Sequence, residues 1–233
     1  MSSNHYQTTP YRISAGPEAY GLDIEIGILS NLGPINNQQL QKMYQVLMSS
    51  LAENKRVVVF RFDLNLPQGK DLPIYQNYHL TQFTNSLKSQ LQAQHQRKLR
   101  NKIRTYKPSL RYAWVQEQKT SQNPHYHFFI TLNKDAYHTL GNIDYTNKMA
   151  RRGASLTSLY GMILTAWARA LSIPPVAAIG QVHVPEKPGY YLNAQGEDLN
   201  QQLQAVMQRI SYMAKFETKS NVDGSRSFGC SRK

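Results

Sequence analysis

The sequence predicts an α+β fold built on one antiparallel sheet, and three observations lead there. After residue 55, strand-like and helix-like periods succeed one another as strand, helix, strand, strand, helix, strand, helix. The strand-like runs alternate apolar and polar residues, as a sheet with two unlike faces requires. A turn-rich connector over residues 120–124 is short enough to make the second and third strands a hairpin. This order is the split βαβ plan of ferredoxin/RRM-like domains, with helices on one face and the other face left free for a substrate.

The elements follow in chain order. Residues 1–34 carry Gly16, Pro17, Gly21, Gly33 and Pro34 and show no sustained period, which predicts an arm with one short strand over 22–26. Asn36 or Asn37 caps a helix bearing Leu40, Met43, Val46, Leu47 and Leu51. This arm and helix make up residues 1–54. From Val57 the chain turns strand-like; Phe60, Phe62, Leu64 and Leu66 share one face, and Arg61, Asp63 and Asn65 the other. Pro67 and Gly69 end the strand. Leu80, Phe83, Leu87 and Leu91 mark an amphipathic helix, followed by the basic run Arg97, Lys98, Arg100, Lys102, Arg104 and Lys107. Strands are expected over 110–118 and 125–132, and a short helix capped by Asn133 stopping at Gly141. A second amphipathic helix starts near Ser155 with Leu156, Leu159, Ile163, Trp167 and Leu171, and Pro174 and Pro175 end it. A fourth strand is expected over 178–184 and a last helix over 199–218. The main domain thus spans 55–220, and 221–233 form a polar, basic tail. Trp114 and Trp167 read as core, and His5, His79, His95 and His138 as isolated surface residues. His183 reads as a structural strand residue within reach of the functional face.

Charge narrows the function classes. The 233 residues hold 27 Lys+Arg against 14 Asp+Glu, a formal charge of +13. Such a balance expects a polyanion. No run approaches the roughly 20 apolar residues that span a bilayer, and no basic-then-apolar leader opens the chain, so no membrane partner is expected. The single cysteine, Cys230, excludes an internal disulfide and fits a reducing cytoplasm.

The chemistry-bearing motif is His125-Tyr126-His127 at the head of a strand-like run. Strand alternation sends both imidazoles from one face while Tyr126, Phe128 and Ile130 point to core. Glu117, at the end of the preceding strand, is placed to return to the same face as a third ligand. Two imidazoles and a carboxylate suit a divalent cation with open positions for substrate. The bland alternative is a pair of strand-edge histidines satisfied by water or backbone. On the last helix, Leu203, Val206, Ile210, Met213 and Ala214 form an apolar stripe, and Tyr212 projects roughly opposite it. Lys215 lies a turn beyond, on an adjacent face.

Taken together, Phe60-Arg61-Phe62-Asp63-Leu64-Asn65-Leu66, then His-hydrophobic-His, then Tyr212-x-x-Lys215 on a helix, resembles the HUH endonucleases in the motif order of rolling-circle replication initiators. More narrowly, Arg111 to Gln118, Pro124 to His127, Leu132 to Tyr137, Ile210 to Lys215 and Arg226 to Gly229 resemble the inovirus-type replication proteins, the YagK/YfjJ-like prophage proteins among them. The resemblance covers about residues 55–230. Relaxases place their tyrosine ahead of the histidines, and this chain does the reverse. The resemblance implies a Rep-type initiator of a phage, prophage or satellite element, acting in the bacterial cytoplasm on single-stranded DNA at an origin hairpin. Host helicase or other replication proteins would be further partners. It implies a Mg2+ or Mn2+ ion on His125, His127 and Glu117, Tyr212 as nucleophile forming a 5′-phosphotyrosyl link, and Lys215 assisting. Arg61, Arg97, Lys98, Arg100, Lys102 and Arg104 are the candidate phosphate contacts. The rival reading is a non-catalytic single-stranded nucleic-acid binder with an RRM-like sheet, which accounts for the charge and the 15 tyrosines.

Overall fold

The computed structural model describes residues 8–13, 24–29, 35–67, 77–117, 124–215 and 226–231. The turns expected at Gly69 and over 120–123, and residues 216–225 of the expected last helix and tail, lie outside them.

The expected arm is more ordered than its sequence pattern suggests. β1 (Thr8–Ile13) pairs antiparallel with β2 (Ile24–Leu29), so there are two strands rather than one. Pro10 inside β1 breaks the strand signature, and a two-stranded ribbon tolerates it because each strand has an open edge. α1 (Asn37–Glu53) is capped by Asn36, whose side-chain oxygen accepts from the Gln39 amide at 3.1 Å.

The central sheet follows the expected plan. β3 (Arg56–Asn65) lies beside β5 (His125–Asn133), which lies beside β4 (Arg111–Glu117), all antiparallel. β6 (Val182–His183) joins the other edge of β3, giving the order β6-β3-β5-β4 of a split βαβ unit. α2 (Tyr78–Arg100) and α4 (Leu159–Ala170) pack on one face, around Phe60, Phe62, Leu64, Trp114, Tyr126 and Phe128. The stacked rings of Phe62 and Phe128, with Phe83 edge-on to both, form its centre.

Three expectations are corrected here. The opposite face is not wholly free. α1 and α5 (Leu199–Ser211) cover much of it, burying Val57, Val59, Ala113, Val115 and Phe129 in a second core. Residues 37–53 therefore share a core with the sheet. The helix expected after Asn133 is only a turn, in which the Asn133 side chain accepts from the Asp135 amide and its carbonyl from Ala136 and Tyr137. The helix forms later, as α3 (Ile143–Arg151) capped by Asn142. The fourth strand is split. A 3-10 turn, Pro175–Ala178, precedes the two-residue β6, and β7 (Gly189–Asn193) resumes pairing with β3. Pro185 and Pro188 lack the amide a continuous ladder needs.

The described part of the expected tail also joins the sheet. β8 (Phe228–Cys230) pairs with β4. Gly229 lies against the Trp114 indole, where a Cβ would stand 2.5 Å from the ring. Just before it, the Arg226 amide donates to the buried Asn77 side chain, whose amide donates in turn to Gln116. The tail, the start of α2 and the strand end carrying Glu117 are thus tied together. His79, expected at the surface, is buried against Tyr126 and Trp167, and both tryptophans are core as expected. Among the described residues no helix is long and apolar enough to cross a membrane.

Candidate active site

The polar cluster sits at the end of the second face, where the apolar run gives way to charge. On β3 the face that begins with Val57 and Val59 continues with Arg61 and Asp63. Register sets Asp63 opposite His127 and Glu117 opposite His125. Three adjacent strands therefore deliver four functional groups to one place, although Asp63 and His127 are 64 residues apart in the chain.

The contacts are close. His127 Nε2 is 2.6 Å from Glu117 Oε2, and His125 Nε2 is 3.2 Å from the same oxygen. His127 Nδ1 is 2.7 Å from Asp63 Oδ1. Arg61 reaches both Asp63 Oδ1 and His127 Nδ1 at 3.4 Å. Hydrogen bonds from His125 and His127 hold the Glu117 carboxyl far below the ordinary carboxylate range, against the opposing effect of burial. Burial alone would lower His127, but the Asp63 and Glu117 bonds outweigh it and its pKa is raised. Burial likewise opposes ionisation of Asp63, and the His127 bond with the nearby positive charges leaves its pKa lowered. His127 thus sits between two carboxylates, with one ring nitrogen within hydrogen-bonding distance of each.

The same geometry fits a metal. One donor atom each from Glu117, His125 and His127 lies within 4.8 Å of the others. Two ligands at right angles, each about 2.1 Å from a cation, stand about 3.0 Å apart, close to the contacts above. The Asp63 bond to His127 Nδ1 leaves Nε2 as the ligand atom and fixes the ring, the usual arrangement behind a metal-bound imidazole.

Tyr212 is brought to this cluster. Its ring centroid is 5.8 Å from that of His127, and the Arg61 guanidinium, itself beside His127, lies 5.8 Å from the Tyr212 centroid. It remains 36% exposed, enough for a substrate to reach it. A cavity of about 580 Å³ opens between this end of the sheet and α5, and Tyr212 lines it.

Two site expectations change. The α-helix ends at Ser211; Tyr212–Ala214 form a 3-10 turn, and Lys215 leaves helical geometry at φ −56°, ψ 132°. Lys215 bridges Ile35 through its backbone, so the one-turn relation to Tyr212 on a continuous helix does not hold. Among the six candidate phosphate contacts, only Arg61 joins the site, and it is buried there rather than displayed. Arg97, Lys98 and Arg100 occupy the last turn of α2, and Lys102 and Arg104 the segment after it. The start of α2 is tied to Gln116 beside the site, and its 23 residues place the basic end about 33 Å further along. Asp63 and Arg209 were not singled out from sequence. The polar alternation of β3 already marked Asp63, and Arg209 lies three residues before Tyr212 on a helix, hence on its face.

Residues 26–231 match the family model of the YagK/YfjJ C-terminal domain. The chain belongs to the YagK/YfjJ C-terminal domain family. The protein YfjJ of Escherichia coli (strain K12) is 33% identical over 202 residues, which is 82% of this chain and 92% of YfjJ. YagK of the same strain is 33% identical over 184 residues, 76% of this chain and 84% of YagK. No solved structure matches the chain. The span matching the YagK/YfjJ domain contains Arg61, Asp63, Glu117, His125, His127, Arg209 and Tyr212, so the whole candidate site belongs to the family domain.

Proposed function

We propose that this protein is a Rep-type HUH endonuclease. It nicks and rejoins single-stranded DNA at a replication origin and so initiates rolling-circle replication of a phage, prophage or satellite element. The observation that supports this reading most is the approach of Tyr212 to His127, which puts a candidate nucleophile beside a two-histidine, one-carboxylate donor set. His125, His127 and Glu117 are the residues that would hold Mg2+ or Mn2+. A cation bound there supplies Lewis-acid polarisation of the scissile phosphate.

The chain's own groups account for the rest. Tyr212 Oη attacks phosphorus, and the Oη–P bond forms as the P–O3′ bond breaks. The phenolic proton passes to solvent, and the departing 3′ oxygen takes one up. The products are a 5′-phosphotyrosyl ester and a free 3′-hydroxyl, which can prime synthesis or reverse the step. Arg61, beside the Tyr212 ring, favours negative charge on the phenol oxygen and on the phosphate. Lys215 assists from just beyond the 3-10 turn. Asp63 keeps the His127 ring in place.

The test is incubation with labelled single-stranded DNA from a candidate origin, with Mn2+ or Mg2+. A denaturation-resistant protein–DNA adduct is expected. It should disappear with EDTA, with Tyr212→Phe and with His127→Ala, and Lys215→Ala should slow its formation. Peptide mapping should place the nucleotide on Tyr212. DNA binding without any adduct would favour the non-catalytic reading, and an adduct on another tyrosine would refute the assignment of Tyr212.

A further inference from the structure

The cavity beside Tyr212 carries more positive charge than the metal donors call for. α5 lines it with Ala205, Gln208 and Arg209 on one helical stripe, and the 3-10 turn that follows adds Tyr212. This stripe lies away from Leu203, Val206, Met207 and Ile210, which are buried in the second core. Ala205 is small, and the space it leaves is part of the cavity. Facing the stripe from the sheet is Arg61, only 7% exposed. Arg209 lines the same cavity, so two guanidinium side chains border it. The carboxylate in this cavity wall is Asp63, whose Oδ1 is shared between the His127 ring at 2.7 Å and Arg61 at 3.4 Å.

The guanidiniums are also incompletely satisfied. Among the described residues, Nε of Arg61 and Nε of Arg209 are buried with no hydrogen-bond partner. Buried donors without acceptors are costly, and two like charges facing one cavity add to the cost. An anion with several acceptor oxygens removes both penalties, and the planar fork of Arg matches a phosphate's oxygens.

We propose that Arg61 and Arg209 form a phosphodiester-binding subsite for single-stranded DNA in the cavity next to Tyr212. Tyr190, in the same wall, is where the adjoining sugar or base packs. The inference rests on the nucleic-acid reading of this site but not on nicking. A phosphate held here would fix the register of the strand relative to the tyrosine oxygen, which neither the metal donors nor the distant basic run does.

The test uses the full chain carrying Tyr212→Phe, so that binding is read without cleavage. Affinity for a fluorescent single-stranded oligonucleotide is measured across a salt series, with thermal melting as a check on folding. Adding Arg209→Gln should weaken binding about tenfold, as expected for losing one charge-assisted contact. It should also reduce the log–log salt slope by about 0.7, one phosphate's worth. Arg209→Lys should restore the slope but only part of the affinity. Ala205→Glu, at an exposed position, puts a carboxylate at the cavity and should weaken binding in the same direction. Unchanged affinity and slope in Arg209→Gln and Ala205→Glu would overturn the subsite, as would an oligonucleotide that the parent does not bind. Equal losses in Arg209→Gln and Arg209→Lys with lowered melting temperatures would assign Arg209 a structural role instead. If the parent binds and Arg209 matters but no adduct ever forms with the wild-type chain, the nuclease reading fails and the subsite stands. If adducts form and Arg209→Gln binds normally, only the subsite fails.

Discussion

His79 makes the stability of the site's foundation depend on pH. It sits in the first turn of α2, packed against Tyr126, the residue between the two candidate metal-binding histidines, and against Trp167. Its Nε2 has no hydrogen-bond partner among the described residues. Burial pushes its pKa down from 6.5 to about 4. The folded state thus holds His79 neutral while the unfolded chain protonates it near pH 6.5. Its contribution to stability is fully present above pH 6.5, and it falls as pH drops until the folded form also protonates near pH 4. The full loss is about 3 kcal/mol, of which about 2 kcal/mol is already gone at pH 5. His79→Leu keeps an apolar side chain of similar size and removes the titration. Urea denaturation of both proteins at pH 8 and pH 5 isolates the effect, because every other titrating group is shared. The wild type should lose about 2 kcal/mol more than the variant between these values, or about 4–8 °C in melting temperature. Parallel losses in the two proteins would refute the buried, neutral state of His79. So would an imidazole resonance of His79 titrating near pH 6.5.

Three further outcomes follow from the same structure. Asp63→Asn keeps the shape beside His127 but removes the charge that orients it, and Mn2+ affinity measured by titration calorimetry should fall about 10–100-fold; unchanged affinity would remove Asp63 from the support of the metal donors. Neutralising Lys98, Arg100 and Lys102 together should flatten the salt dependence of single-stranded DNA binding by up to about 2 in log–log slope, whereas an unchanged slope would mean that the far end of α2 does not touch DNA. Gly229→Ala forces a methyl against the Trp114 ring and should cost about 1–3 kcal/mol in chemical denaturation, while a variant as stable as the wild type would show that β8 is not pressed against β4.

Much of this architecture is written locally. The alternation from Phe60 onward and His125-Tyr126-His127 specify which side chains share a face, because a strand's period of two is set by the backbone. Asn36 starts its helix by accepting a hydrogen bond from the Gln39 amide. The helical period sets Tyr212 opposite the apolar stripe of Leu203, Val206 and Ile210. What local pattern does not carry is partnership. Asp63 meets His127 only through the register of β3 on β5, and Glu117 meets His125 only through that of β4 on β5. The two-residue β6 and the edge strand β8 pair because longer strands already present open edges; their own sequences are too short for a period to show. His79 reads as an isolated polar residue until the rings of Tyr126 and Trp167 close over it. Arg209 acquires meaning only when α5 docks and turns it toward Arg61. Periodicity is a property of one segment, so sequence alone determined the faces. Register and docking depend on contacts between segments far apart in the chain, so only the tertiary structure decided which faces meet.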